Sequence, residues 1–295
     1  MKTNLSHIAA TAGTHKPFSS RLGFLAILLC AAMALVLSLT AAPQPAAAAG
    51  NAPEAGEASL GDARPDNPRP GQRSFSFEAT VDGRQLQLNY LLFLPESYGQ
   101  DPNARWPLLL FLHGSREAGR DVNRVRNAIL PQIVEQHPDF PFIVVSPQSP
   151  TTAAWDGSIP AIVALLDDLQ TRLAVDPDRV YLTGLSLGGF GAWALAMREP
   201  NRFAAIVPVV GGYFFSASRL CPLKDIPTWV FHGKRDWNVP FRRSEAVVNA
   251  LQACGGDPRF TVYEDADHDE GWRRAYNDPE LYAWLLQQRR AAPTQ

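Results

Sequence analysis

The sequence predicts an α/β fold whose core is a mostly parallel sheet of eight strands with helices on both faces. Two observations carry this prediction: the alternation of strand-like and helix-like segments, and a turn signal between the first two strand segments. Short apolar runs, typical of buried strands, alternate along the chain with segments in which apolar residues recur at helical spacing. Such alternation implies parallel strands that are joined by helical crossovers and covered on both sides. The first two strand segments are joined only by the turn signal at residues 81–84, so we expect them to form an antiparallel edge.

Each predicted element has its own sequence signal. Eight segments are predicted as strands because they are short, apolar or alternating, and bounded by turn residues: 74–80, 85–94, 108–112, 142–146, 180–183, 204–209, 228–231 and 259–263. Five segments are predicted as helices because their apolar residues follow a period near 3.6: 122–136, 159–173, 187–198, 244–254 and 280–290. No separate lid domain is expected.

The most informative segment is the turn between the fifth strand and the third helix, where Ser186 stands between two glycines. Gly184 and Gly188 let the backbone bend sharply, so that the serine is held in a strained conformation with its hydroxyl exposed. The helix at 187–198 then points its N-terminus at the same oxygen. This pattern predicts a nucleophile elbow centred on Ser186. The alternative is an ordinary glycine-rich turn.

A serine hydroxyl is a weak nucleophile at neutral pH, so it needs a base and an acid that orients the base. In α/β-hydrolases the acid and then the histidine follow the serine along the chain. His268 lies downstream of both the elbow and an acid loop, in which Asp236 follows the strand at 228–231. We therefore expect Ser186, Asp236 and His268 to form a catalytic triad. His232, at the end of the same strand, is expected to have a structural role.

An acyl-transfer site also needs donors for the developing oxyanion, and preorganised backbone N–H groups are usually its largest electrostatic contribution. The elbow offers the N–H of Leu187. The apolar strand at 108–112 ends just before His113, and the loop after it is expected to supply the second donor. We assign that donor to the N–H of Ser115, with Arg116 as the neighbouring alternative. His113 is expected to support this loop and not to transfer protons.

Residues 1–49 have the pattern of a secretory signal peptide, because basic residues precede a long apolar run and four alanines end the segment. Residues 50–72, rich in Ala, Pro, Gly and Asn, predict a flexible linker. Residues 73–291 then form one catalytic domain. The pattern predicts an exported, periplasmic or extracellular protein. The alternative is an uncleaved membrane anchor at residues 22–42.

Export to an oxidising compartment favours disulfide formation. Of the three cysteines, Cys221 and Cys254 follow the leader. We expect them to form a disulfide that joins the loop before the acid's strand to the end of the helix at 244–254. Two separate buried thiols are the alternative.

The composition argues against several other functions. The net charge is −2 and no cluster of lysine and arginine stands out, which argues against a nucleic-acid-binding face. Neither a Cys-x-x-Cys nor a His-x-x-x-His spacing occurs, so no metal site is predicted. We expect catalysis without a cofactor on a small-molecule ester. No nucleic acid and no membrane partner are expected, unless the N-terminal segment stays uncleaved.

Taken together, these motifs resemble secreted bacterial carboxylesterase-like α/β-hydrolases. This group includes phospholipase/carboxylesterase-like enzymes, feruloyl-esterase-like enzymes and predicted peptidases near the prolyl oligopeptidase family. The likeness spans about residues 75–290. It is carried by the segments 111–121, 146–149 and 175–190, by Trp155, and by the loops of Asp236 and His268.

The resemblance implies an α/β-hydrolase fold and a serine hydrolase that cleaves carboxylic esters through an acyl-enzyme, with Ser186, Asp236 and His268 as its triad. A serine peptidase acting on short peptides is the second hypothesis, and a catalytically silent binding protein is the third. The chain departs from the family pattern at two positions. Leu187 stands where methionine is common, which leaves the backbone donor intact, and Asp267 stands where glycine often precedes the histidine.

Aromatic residues on loops at one edge of the predicted sheet indicate an open, aromatic entrance. Trp155, Trp237 and Tyr213 are the candidate substrate-binding residues, and the loop at 210–219 is too short for a lid domain. Such an entrance favours short acyl chains and flat aromatic or sugar-linked esters over long lipids. The alternative is that Trp155, Tyr213 and Phe214 cap the core.

Overall fold

The computed structural model describes residues 69–213 and 216–290, and the fold given below is that of these residues. The leader predicted at 1–49, most of the linker predicted at 50–72 and the aromatic Phe214 lie outside the described residues. Within the described part of the chain, no helix combines the length and the apolar character that a membrane span requires.

The described chain folds around a single sheet. Its eight strands are β1 (Gly71–Val81), β2 (Arg84–Leu94), β3 (Trp106–Leu112), β4 (Ile143–Pro147), β5 (Val175–Leu185), β6 (Ala205–Val209), β7 (Trp229–Gly233) and β8 (Arg259–Tyr263). Their order across the sheet is β1-β2-β4-β3-β5-β6-β7-β8. β2 pairs antiparallel with both β1 and β4, and all other neighbours are parallel. The predicted mostly parallel sheet with an antiparallel edge is confirmed.

Helices cover both faces of this sheet. They are α1 (Ile129–Gln136), α2 (Ile159–Arg172), α3 (Leu187–Arg198), α4 (Arg242–Ala253), α5 (His268–Tyr276) and α6 (Pro279–Gln287). α2, α3 and α4 share one hydrophobic core with the sheet, and α1, α5 and α6 share the other. Side chains of a strand point alternately to opposite faces. Leu108 and Leu110 of β3 accordingly lie in the first core, and Leu109 and Phe111 in the second.

Several element boundaries differ from the sequence prediction, and three of the differences are informative. β1 begins at Gly71, inside the predicted linker. β5 begins at Val175, earlier than predicted, because it continues its pairing along β3. The helix predicted at 122–136 is divided into a 3-10 stretch, Val122–Asn127, and α1. The division places Pro131 in the first turn of α1, where its missing N–H and fixed φ are tolerated.

α5 has no counterpart among the predicted helices. Its sequence is polar and contains Gly271, which lowers its helical tendency. Asp267 caps the helix by accepting a hydrogen bond from the N–H of Glu270 at 2.9 Å. A Cβ at Gly271 would lie 2.9 Å from a methyl of Val210, so glycine allows α5 to pack tightly on the sheet. Tertiary packing therefore outweighs local propensity here.

The carboxyl ends of the parallel strands meet at one edge of the sheet, where ligands of open α/β sheets usually bind. The loop after β3 carries Ser115, the turn after β5 carries Ser186, the loop after β7 carries Asp236, and the loop after β8 leads to His268. This edge therefore gathers the predicted catalytic residues from four distant segments of the chain.

Candidate active site

Ser186 lies in the turn between β5 and α3 with φ 54° and ψ −117°. A positive φ is uncommon for a residue other than glycine, and such strain concentrates at functional positions. The N–H of Ser186 donates to the carbonyl of Val209 on the neighbouring strand β6 at 3.0 Å. This hydrogen bond fixes the turn, and Ser186 itself lines a cleft at the sheet edge.

Close backbone contact on both sides of Ser186 explains the two flanking glycines. A Cβ at Gly184 would collide with the carbonyl of Gly188, and a Cβ at Gly188 would collide with the carbonyl of Leu112 at the end of β3. The start of α3 therefore lies directly against the loop that follows β3. This contact brings the loop containing Ser115 next to the turn of Ser186.

His268 is the first residue of α5 and makes hydrogen bonds with both of its ring nitrogens. Nε2 lies 3.0 Å from Ser186 Oγ, and Nδ1 lies 2.7 Å from Asp236 Oδ2. The imidazole is buried apart from the side that faces the cleft. The structure thus brings Ser186, His268 and Asp236 together in one chain of hydrogen bonds. This is the geometry in which a histidine removes the proton of a serine hydroxyl.

Asp236 is buried in the loop after β7, where every hydrogen-bond partner favours its charged form. Its Oδ1 accepts from the N–H groups of Asn238 at 2.9 Å and Val239 at 2.8 Å. Burial alone would raise the pKa of this carboxyl, but hydrogen bonds from His232, His268 and the Val239 N–H hold its pKa well below the usual range. Asp236 therefore stays ionised and oriented toward His268.

His232 takes part in the site more directly than the sequence analysis predicts. It is fully buried at the end of β7, and its Nε2 lies 3.1 Å from Asp236 Oδ2 and 2.9 Å from the carbonyl of Val239. Its Nδ1 lies 2.7 Å from Ser244 Oγ. The contact with Asp236 is a feature that the sequence analysis missed, although the spacing of four residues between His232 and the acid is a usable signal.

The predicted oxyanion donors lie on two neighbouring backbone segments. Leu187 is the first residue of α3, where helix geometry leaves an N–H without an intrahelical acceptor. Ser115 begins the 3-10 turn Ser115–Glu117 directly after Gly114, and Gly114, Ser115 and Ser186 line the same cleft. The start of α3, which carries Leu187, and the loop after β3, which carries Ser115, are in contact, since a Cβ at Gly188 would collide with the carbonyls of Leu112 and His113.

His113 stabilises the loop that carries Ser115 through hydrogen bonds of both ring nitrogens. Its Nδ1 lies 2.6 Å from the Gly114 carbonyl, and its Nε2 accepts from the N–H of Ser149 at 3.0 Å. Burial lowers the pKa of His113 to about 4, so the ring stays neutral at physiological pH. The neutral tautomer with Nδ1–H satisfies both bonds, and the ring therefore supports the loop.

The cleft over Ser186 has a volume of about 690 Å³. One part of its lining is apolar and comes from α1, α5 and the elbow, and another part is charged or polar. The lining residues away from the reacting groups include Arg124, Asn127, Ile129, Leu185, Asn238, Val239 and Trp272. Several of these belong to helices that the sequence analysis did not connect with the site.

The predicted substrate residues require correction. Trp155 is 1% exposed and packs against Gly191 of α3. Its Nε1 donates to the carbonyl of His113 at 3.3 Å. Trp155 therefore supports the loop after β3 and does not contact substrate. Tyr213 is half-buried against the core shared by α2, α3 and α4. Trp237 is 91% exposed, and the cleft is lined instead by Asn238 and Val239, which follow it in the sequence. The aromatic side chain that lines the cleft is Trp272.

Three of the acidic residues around His268 are paired with arginines. Asp269 accepts two hydrogen bonds from Arg116, both at 3.1 Å, and this pair stands at the wall of the cleft. Arg274 pairs with Asp265 and with Glu270. Across residues 69–213 and 216–290, no group of three or more metal-ligating side chains is arranged to hold a metal ion.

A disulfide joins Cys221 and Cys254, whose Cα atoms lie 5.3 Å apart. Cys221 belongs to the 3-10 stretch Ala217–Leu223, and Cys254 follows the last residue of α4. The bond therefore ties the C-terminal end of α4 to the segment that precedes β7.

Comparison with known proteins shows similarity to one family of hydrolases. Residues 140–274 match the phospholipase/carboxylesterase family. A poly(3-hydroxyoctanoate) depolymerase from Pseudomonas fluorescens is 25% identical over 211 residues, which are 62% of this chain and 75% of that protein.

Solved structures show the same architecture. A thermostable esterase superposes with a TM-score of 0.63 and 31% identity, over 74% of this chain and 63% of that one. A ferulic acid esterase from Anaeromyces mucronatus, in complex with ferulic acid, superposes with a TM-score of 0.57 over 76% of this chain and 93% of that one; at 13% identity it shares the fold alone. The described residues have the α/β-hydrolase fold, residues 140–274 are similar to the phospholipase/carboxylesterase family, and the enzyme class of the chain is that of the carboxylic-ester hydrolases.

Proposed function

We propose that this chain is an exported serine esterase that cleaves carboxylic esters through an acyl-enzyme, with Ser186, His268 and Asp236 as its triad. The observation that carries the proposal is the continuous chain of hydrogen bonds from Ser186 Oγ through His268 to Asp236, with lengths of 3.0 and 2.7 Å. The strained φ of Ser186 supports it, because the turn presents the hydroxyl to the cleft. Export rests on the leader pattern of residues 1–49.

In the first half of the reaction, Ser186 Oγ attacks the ester carbonyl and His268 Nε2 takes the hydroxyl proton. Asp236 stabilises the imidazolium that forms. The N–H groups of Leu187 and Ser115 bind the oxyanion of the tetrahedral intermediate. The intermediate collapses, the C–O bond to the alcohol breaks, and His268 returns the proton to the departing alkoxide. The acyl group remains on Ser186.

In the second half, His268 removes a proton from water, whose oxygen attacks the acyl-enzyme carbonyl. A second tetrahedral intermediate releases the carboxylic acid as His268 returns the proton to Ser186. Each proton taken by the histidine is given back, so one ester and one water yield one acid and one alcohol. No cofactor takes part in this scheme.

The substrates that we propose are short-chain, aromatic or sugar-linked esters. The cleft of about 690 Å³ combines a limited apolar surface with Arg124, Asn127 and Asn238, which suits a compact acyl group whose alcohol carries polar atoms. Among the related proteins, one is named as a poly(3-hydroxyoctanoate) depolymerase and another as an acetylxylan esterase/xylanase. These names support esters of hydroxylated compounds as the first substrates to assay.

Two measurements test the proposal. A fluorophosphonate probe should label the protein at Ser186 and should leave the Ser186→Ala variant unlabelled; absence of labelling on the folded wild-type protein would support a silent binding protein. A panel of p-nitrophenyl esters, feruloyl and acetylated-sugar esters and peptide anilides then compares acyl groups and leaving groups. We expect kcat/KM for the acetate or butyrate to exceed that for the palmitate by at least about tenfold. Efficient anilide cleavage would instead make the protein a peptidase.

A further inference from the structure

A second imidazole besides that of His268 contacts the carboxylate of Asp236. His232 Nε2 and His268 Nδ1 approach the same oxygen, Asp236 Oδ2, at 3.1 and 2.7 Å. The side chains of His232 and Asp236 are both fully buried. Ser244, at the start of α4, continues the chain of contacts: its Oγ lies 2.7 Å from His232 Nδ1 and donates to the carbonyl of Gly211 at 2.8 Å.

The number of protons that this series of contacts needs identifies the protonation state of His232. Its Nε2 faces two acceptors, the Val239 carbonyl at 2.9 Å and the Asp236 carboxylate, and must therefore carry a proton. Two further short contacts, from Nδ1 to Ser244 Oγ and from that oxygen to the Gly211 carbonyl, require two protons. The Ser244 hydroxyl supplies only one. A neutral ring would leave two acceptors facing each other at 2.7 or 2.8 Å.

We propose that His232 is a positioning residue of the triad, held as an imidazolium that shares the Asp236 carboxylate with His268. In this state the Nδ1–H of His232 donates to Ser244 Oγ, and the Ser244 hydroxyl donates to the Gly211 carbonyl. Each contact in the series then has its own proton. The charge also has a physical reason, because a buried carboxylate is strongly destabilised unless an opposite charge or several donors accompany it. His232 therefore compensates Asp236 before His268 is protonated.

The shared carboxylate sets the strength of the base. A permanent positive charge beside Asp236 weakens the attraction between that carboxylate and a protonated His268. The shared carboxylate therefore stabilises the imidazolium of His268 less than an unshared carboxylate would. The same charge holds Asp236 Oδ2 in the position that receives His268 Nδ1–H.

Other charged groups near the two imidazoles are already paired. Around His268, Asp269 binds Arg116 and Glu270 binds Arg274, while Asp267 caps α5. Around His232, the ring of Phe241 packs edge-on at 5.8 Å between centroids. The ammonium of Lys234 lies over the Phe241 ring, 4.1 Å from its centroid. In the described part of the chain, Asp236 is the carboxylate in direct contact with both histidines.

The protonation state is measured directly by NMR on the protein labelled with ¹⁵N at its histidines. We expect His232 to show two protonated ring nitrogens at pH 8, with signals that disappear in His232→Gln. If that variant does not fold, Ser244→Ala assigns the same ring, because it removes the partner of Nδ1 and leaves the contacts of Nε2 in place. A ring with one unprotonated nitrogen at pH 8 would overturn the proposal. This experiment does not depend on the proposed ester hydrolysis.

The effect on the base rests on the proposed function and is measured from the pH dependence of kcat/KM. Glutamine keeps an N–H donor near Asp236 but removes the charge, so His232→Gln should move the acid limb of the profile toward higher pH by about one pH unit. Phe241→Leu is the matched control, because it changes the packing of the same imidazole and leaves its protons in place. A merely structural His232 would lower activity in both variants without moving the acid limb, and that result would overturn the proposal.

Discussion

The backbones of Gly189 and Gly211 pack directly against each other next to the turn of Ser186. A Cβ at Gly189 would come within 3.0 Å of the Cα of Gly211, and a Cβ at Gly211 would come within 2.8 Å of the Cα of Gly189. The atoms in the way are backbone atoms, which cannot rotate aside. The start of α3 and the end of β6 therefore approach each other more closely than any side chain allows.

The first prediction follows from this contact. Gly189→Ala should lower the free energy of unfolding by more than about 2 kcal/mol, because overpacking of this kind displaces backbone. Gly157→Ala is the control, since a Cβ there meets nothing within 4 Å. Urea unfolding of the two variants measures the difference, and equal stabilities would show that the two segments can separate without cost.

The second prediction concerns the triad. Ser186→Ala and His268→Ala should each reduce kcat by about 10⁴-fold or more, and the double variant should be no slower than either single variant, because the residues act as a unit. Asp236→Asn should cost less. Steady-state kinetics on the best ester checks this. A Ser186→Ala variant that keeps more than about a tenth of the wild-type kcat would remove Ser186 from the role of nucleophile.

The third prediction concerns Glu117, a carboxyl in the cleft wall that lies 3.9 Å from His113 Nδ1. Burial raises the pKa of Glu117, and backbone donors together with Arg116 and Arg124 oppose this only in part. A carboxyl whose pKa is raised in the folded state reduces stability once the pH exceeds its unfolded value, and leaves stability unchanged below it.

Glu117→Gln should therefore raise Tm at pH 8 and have little effect near pH 4. The exposed Glu96 provides the control, since Glu96→Gln removes the same charge from the surface. Thermal melts of both variants at the two pH values decide the matter. An equal change in Tm at pH 4 and pH 8 would contradict the buried, destabilised carboxylate.

The fourth prediction concerns the cleft's aromatic wall. Trp272 lines the cleft, whereas Trp237 is exposed beside it. If aromatic acyl groups bind there, Trp272→Ala should lower kcat/KM for a feruloyl ester at least about fivefold more than for an acetyl ester, because it removes apolar contact area of the larger group alone. Trp237→Ala is the matched control and should change neither value by more than about twofold. The reverse ranking would restore Trp237 as the substrate-binding residue.

The fifth prediction concerns the disulfide. Alkylation without reductant should leave Cys221 and Cys254 unmodified, as read by peptide mass mapping. Replacing both residues with serine should lower the free energy of unfolding by about 3–4 kcal/mol, because the bond closes a loop with a sequence separation of 33. Two alkylated cysteines in the native protein would contradict the bond.

The architecture and the order of the predicted triad follow from local signals. The alternation of apolar runs and helical periods predicts the sheet, because each strand and helix must bury its own apolar face. Ser186, Asp236 and His268 are recognisable because each follows a strand, and the ends of parallel strands meet at one edge. The boundaries of the divided helix at 122–136 depend on one proline and are less visible.

Side-chain direction was not predictable in the same way. Trp155 lies on a loop at the correct edge, yet it points into the core and contacts His113. The pairing of His232 with Asp236 needs both side chains in a particular orientation at the end of β7, and no periodicity encodes that. Trp272 reaches the cleft from α5, a helix that depends on Gly271 packing against the sheet.

The disulfide has a consequence for proteolysis in the compartment where such bonds persist. The covalent loop between Cys221 and Cys254 contains β7, the acid Asp236, His232 and all of α4. A single cut of the main chain inside this loop, for example beside the exposed Trp237, would leave both fragments attached to each other. The cut protein would migrate as one species without reductant and as two with it, and the segment bearing the acid would be retained after damage.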